Sequence, residues 1–194
     1  WQKTIANDLE TIQSEGHDAV RKVDANMVVK KKSGKDVEVQ DGWAGHILPF
    51  DLVQEKLLSA DLAEIGTYES RLTEISSEIA DILENLDEDD KNSTDAVSED
   101  GDSFVATELK KAVKSIGRDP ETDFDRALVN AQRLFDEERE VKKNVKNLRS
   151  ALDEKTRAVI EGLSDEQADD LLAAKWVEPL QHNLKEHTQT VVDE

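Results

Sequence analysis

Lysine and histidine supply the side chains of this chain whose type and spacing could do chemistry. Lys30, Lys31, Lys32 and Lys35 form its one basic cluster, and clustered lysines of this kind are candidate contacts for DNA phosphates. The alternative is a solvated hairpin tip that its lysines keep soluble. Nearby acids such as Asp36 favour that alternative, because they weaken the positive field.

The four histidines are scattered along the sequence. His46 lies in its least charged stretch, but no second ligand stands three or four residues away, so we expect a core or interface histidine. The sequence lacks a glycine-rich phosphate loop, a nucleophile elbow, a paired metal motif and a catalytic His/acid spacing. The residues therefore predict a non-catalytic chain with no metal site and no cofactor site.

Charge and composition favour exposed helices that meet protein. The 194 residues are 37% hydrophobic and 36% charged, with a net charge of −20. Residues 1–50 hold 7 basic against 8 acidic side chains, whereas residues 51–194 hold 18 against 37. A segment so acidic repels phosphate backbones, which argues against a direct DNA clamp. The absence of cysteine favours the cytoplasm, and the absence of a long apolar run predicts no membrane span. The start at Trp1 suggests a piece of a larger chain.

Residues 120–162 predict one long helix. From Ala127 to Val159, positions spaced alternately by four and three residues form a stripe in which eight of ten are apolar. Pro120 suits the first helical turn, and Gly162 suits a left-handed C-cap. Such a long amphipathic helix needs a partner.

A second long helix is predicted for residues 51–86, with Asp51 as a possible N-cap. Residues 87–102 carry eight acids, and we expect a mobile loop that buries no apolar surface and lacks the order of a calcium loop. A short helix over 103–117 follows. The fold prediction is mainly α, with a long antiparallel, coiled-coil-like helical hairpin.

Both ends of the chain predict smaller elements. Residues 1–50 contain a short helix and a small β-hairpin, with strands over 27–31 and 35–40. Residues 164–194 predict packing helices that begin at a Ser164–Gln167 capping box and are interrupted near Pro179. Six apolar residues of these ends must cover either each other, at the base of the hairpin, or another subunit: Trp43, Ile47, Leu48, Phe50, Trp176 and Leu180.

Several phrases of this sequence resemble the C-terminal region of the modification (M) subunit of type I restriction-modification enzymes. They are GWAGHILPFDLVQ at 42–54, SRLTEISSE at 70–78, ILENL at 82–86, GDSFVATELKKAV at 101–113, TRAVIEGLSDEQ at 156–167 and KWVEPL at 175–180. The resemblance thus covers nearly the whole chain, by phrases and without a catalytic signature.

The resemblance implies that residues 1–50 are the end of a methylase domain or a connector, and that the rest is the tail behind it. Full-length M subunits are adenine-N6 DNA methyltransferases that use S-adenosylmethionine and assemble with a specificity (S) and a restriction (R) subunit. The Asn-Pro-Pro-aromatic motif of the family is absent, since none of the three prolines follows an asparagine. The resemblance therefore implies a non-catalytic assembly region that reaches DNA only through the parent complex. A stand-alone coiled coil that associates with itself is the alternative.

Overall fold

A computed structural model describes the backbone of residues 2–32 and 34–192, and the side chains of residues 3–32 and 34–178. The chain is mainly α-helical with a two-stranded antiparallel sheet near its N-terminus, which confirms the predicted fold class. In order, the elements are α1 (Gln2–Glu15), a 3-10 turn (His17–Arg21), β1 (Val23–Lys32), β2 (Lys35–Gly45), α2 (Phe50–Leu57), α3 (Ser59–Glu84), α4 (Glu88–Asn92), α5 (Ala106–Ile116), α6 (Asp123–Glu161) and α7 (Asp165–Val192).

The chain folds into two compact units. The first comprises residues 1–63 and 149–194, and the second comprises residues 64–148. Each has an apolar core of its own.

The second unit is built on the predicted antiparallel helix pair. Ile75 of α3 packs with Leu134 and Val141 of α6, and all three are buried. Farther along α3, Leu83 shares a cluster with the earlier α6 residue Leu128, so the two helices run in opposite directions. In this unit, the apolar stripe of each helix packs against that of the other helix of the same chain.

Arg71 fixes the register of this pair. Its guanidinium donates to Glu137 of α6 at 2.7 Å, and to Glu74 and Glu78 of its own helix at 3.1 and 2.7 Å. The hydrogen bond to Arg71 holds the pKa of Glu137 below its ordinary value, with smaller charge effects from Arg71 and Arg133. One cation therefore relieves the repulsion of three carboxylates at the seam.

The acidic segment 87–102 corrects one expectation. Ala96 and Val97 are buried, and Val97 pairs as a β-bridge with Phe104, whereas we expected no buried apolar surface there. These two apolar residues insert into the core of the second unit while the acids around them stay largely exposed. The mobility of this segment stays a prediction.

The predicted helix over 51–86 is in fact two helices. Leu58 interrupts it between α2 and α3 with φ −126° and ψ 29°, and buries its side chain. Pro49, not Asp51, is the N-cap, with an extended backbone at φ −62° and ψ 143° directly before the first helical residue Phe50.

The boundaries of α6 also differ from the prediction. The helix begins at Asp123 because Thr122 and Asp125 exchange hydrogen bonds between side chain and backbone, a capping box three residues beyond Asp119-Pro120. Gly162 does not have the left-handed backbone conformation that we predicted for a C-cap. The chain turns directly after it into Leu163, which is buried.

The C-terminal helix begins as predicted and then runs on. Ser164 and Gln167 exchange the two hydrogen bonds of a capping box, at 3.0 and 3.2 Å. Helix α7 continues through Pro179, where we expected an interruption, at the loss of one backbone hydrogen bond. The side chain of Leu180 lies outside the described residues.

Replacing Leu134 with Ala is expected to lower the free energy of unfolding by about 2–5 kcal/mol, because Leu134 is fully buried in the seam. Val145→Ala, at a half-buried position of the same helix, serves as the control with a smaller loss. Urea denaturation followed by circular dichroism measures both. Equal losses at the two positions would show that Leu134 does not lie at the centre of the seam.

Candidate partner-binding surfaces

The apolar residues that sequence reasoning assigned to docking are brought together in the first unit. Ile47 and Leu48 are buried in its core, and Phe50 and Trp176 pack against it half-buried. Trp43 lies apart on β2, where the guanidinium of Arg157 stacks 3.9 Å from its ring centroid. Most of these side chains are therefore engaged by their own chain.

A buried ion pair fastens α7 to this core. The Lys175 ammonium donates to the Asp8 carboxylate and to the Ile47 carbonyl oxygen, both at 2.6 Å, and both charged side chains are nearly buried. The same Asp8 oxygen accepts the Trp176 indole N–H at 2.9 Å. Asp8, missed by sequence reasoning, thus orients two adjacent residues of α7 from α1.

The turn after β2 depends on Gly45. A Cβ at Gly45 would lie 1.8 Å from the carbonyl oxygen of Leu48, so only glycine permits this approach. The tight turn places Ile47 and Leu48 in the core and brings the Ile47 carbonyl to Lys175.

An open groove lies between α2 and α7 on the surface of the first unit. It has a volume of about 540 Å3 and exposes Leu57, at 40%, and Val177, at 44%. Ala173 and Ala174 keep its floor shallow, and a Lys56–Glu178 ion pair crosses its rim. Leu57 and Val177 were missed because each stands next to an apolar residue that sequence reasoning assigned to the core, Leu58 and Trp176, and adjacent residues face different sides of a helix.

The four lysines lie where predicted, on an exposed hairpin, but they do not share one face. Lys30 pairs with Val37 in the register, Lys31 with Asp36, and Lys32 with Lys35. Because paired residues share a face and successive residues alternate, Lys30, Lys32 and Lys35 lie on one face and Lys31 on the other. The strands also extend beyond the predicted limits, through a bulge at Gly42, where φ is +80°.

His46 ties the base of the hairpin to α1. Its Nδ1 lies 2.6 Å from Asp24 Oδ2, and its Nε2 lies 3.4 Å from Glu15 Oε1, an ion-pair distance without an aligned hydrogen bond. The Asp24 hydrogen bond is the main cause that raises the pKa of His46 above 6.5, against an opposing effect of burial. Protonated His46 thus bridges two carboxylates.

Among the described side chains, no group of three His, Asp or Glu residues is placed to hold a metal ion. No helix of the described part combines the length and the apolar content needed to cross a membrane. Comparison of the chain with protein-family models, with curated proteins and with solved structures finds no match.

Replacing Lys175 with Met should lower the free energy of unfolding by about 3 kcal/mol, because Asp8 then keeps a buried charge without a cation. The double variant with Asp8→Asn should recover part of that loss. Chemical denaturation of the wild type, both single variants and the double variant measures the coupling. Strictly additive losses would contradict the ion-pair account.

The His46 ion pairs should make stability depend on pH. A folded-state pKa above the unfolded value gives stability that is complete below pH 6.5 and is lost as the pH rises through the folded-state value. The urea concentration at the unfolding midpoint should therefore decrease as the pH rises above 6.5, and His46→Gln should reduce that decrease. A variant with the same pH profile as the wild type would contradict this role.

Proposed function

We propose that this chain is the C-terminal assembly region of the M subunit of a type I restriction-modification enzyme, and that its α2–α7 groove binds the S subunit. The parent protein then methylates adenine N6 in DNA with S-adenosylmethionine, together with the S and R subunits in the cytoplasm. This region contributes subunit contacts, and the phrases from residue 42 to residue 180 are its link to the family.

The observation that carries the proposal is the exposed apolar pair Leu57 and Val177. Few large apolar side chains of the described residues are exposed, and these two line the same groove. An amphipathic helix laid in such a groove buries apolar surface on both sides, which is a common mode of recognition. The helical conserved regions of S subunits, which the resemblance implies, supply a helix of this kind.

The geometry argues against the alternative of a self-associating coiled coil. In the second unit, the apolar stripes of α3 and α6 face each other, and Ile75 and Leu134 are fully buried in the monomer. A second copy would find no vacant apolar seam there.

Replacing Leu57 with Asp, or Val177 with Asp, should weaken binding to purified S subunit at least about tenfold, because an unpaired carboxylate would enter an apolar interface. Leu9→Asp is the matched control, since Leu9 is 42% exposed on α1 and lies outside the groove. Sedimentation velocity of each variant with and without the S subunit gives the affinities.

The same runs test the alternative. The chain alone should sediment as a monomer at all concentrations, and concentration-dependent dimerisation would favour the coiled coil. Equal affinity of the wild type and both groove variants for the S subunit, or no binding at all, would contradict the proposed function.

A further inference from the structure

The β-hairpin separates its charges onto two faces. The lysine face comprises Val28, Lys30, Lys32, Lys35, Val37 and Val39, and the opposite face comprises Met27, Val29, Lys31, Asp36, Glu38 and Gln40. The hairpin as a whole is close to neutral, yet its lysine face carries three cations and its opposite face a net negative charge. The register thus creates a basic surface that the sequence, read linearly, conceals.

Two of these cations are left uncompensated. Lys30 forms an ion pair with Asp41 at 3.1 Å, but Lys32 and Lys35 have no partner among the described residues. They also stand directly opposite each other near the turn, and like charges in that position destabilise a hairpin. Such an unfavourable pair is relieved when an anion binds between the two side chains.

The composition of the lysine face suits a phosphate backbone better than a protein. Val28 and Val39 are half-buried, which leaves Val37 as its one exposed valine. Protein interfaces are depleted in lysine and carry an apolar centre, which this face does not offer. The most exposed apolar side chains of the hairpin, Met27 and Val29, lie on the opposite face.

We propose that the lysine face of the hairpin binds the phosphate backbone of duplex DNA through Lys30, Lys32 and Lys35. The three lysine ammonium groups neutralise phosphates and release their counterions, so the contact weakens as salt rises. The contact is sequence-independent, because lysines on phosphates fix position and carry no base information. Lys31, although adjacent in sequence, takes no part.

The test is the salt dependence of duplex binding by the 194-residue chain, measured by fluorescence anisotropy with a labelled duplex of about 30 base pairs from about 50 to 200 mM salt. Three phosphate contacts contribute about −2.7 to the slope of log K against log salt. The triple variant K30Q/K32Q/K35Q should lose that share of the slope and bind at least about tenfold more weakly at the lowest salt.

Lys31→Gln is the control for Lys32→Gln, since each removes one charge, from opposite faces of the hairpin; K32Q should reduce the magnitude of the slope by about 0.9 and K31Q should leave it unchanged. Thermal unfolding should show the triple variant no less stable than the wild type, because the opposed Lys32 and Lys35 charges are gone. A slope that falls in K31Q by as much as in K32Q, or that stays unchanged in the triple variant, overturns the proposal.

Two other results also overturn it. If the wild-type chain does not bind duplex DNA at the lowest salt, the contact is excluded. If the triple variant loses binding to the S subunit but not to DNA, the lysine face binds protein. These outcomes are independent of the α2–α7 groove, whose variants change Leu57 and Val177 and leave the hairpin intact.

Discussion

The Lys175 ammonium holds the first unit together. From α7, it donates hydrogen bonds to Asp8 of α1 and to the Ile47 carbonyl oxygen in the turn after β2. Buried charges demand partners, so this arrangement fixes three segments that are far apart in sequence. These contacts lie close to both candidate surfaces, because Val177 lies two residues beyond Lys175 and Ile47 lies two residues beyond the end of β2.

The helical pair is a different kind of constraint. Its seam is a mostly apolar stripe, and the Arg71 network selects the register by pairing one cation with acids of both helices. Because the seam residues pack on each other within the chain, the proposed partner contact lies outside the seam. The expected docking residues Ile47 and Leu48 are buried, so the proposed subunit contact is placed on the exposed residues Leu57 and Val177.

Periodicity sufficed to predict the fold class and the helical pair, since an apolar stripe as long as that of α6 needs a partner helix, and α3 carries a matching stripe. It could not reveal the break at Leu58, where burial of one side chain outweighs helix continuity, or the burial of Val97 within an acidic run. The candidate site was predictable only in outline. The sequence marks Trp176 and the lysines, but Asp8 and the separation of Lys31 from Lys32 arise from tertiary contacts and strand register.

Hydrogen–deuterium exchange of the chain with and without the S subunit tests the assembly claim most directly. Binding at the groove should slow amide exchange in α2 and in the first half of α7, over residues 52–57 and 170–178, while the seam residues around Ile75 and Leu134 stay unchanged. Protection confined to the seam, with none at the groove, would contradict the account.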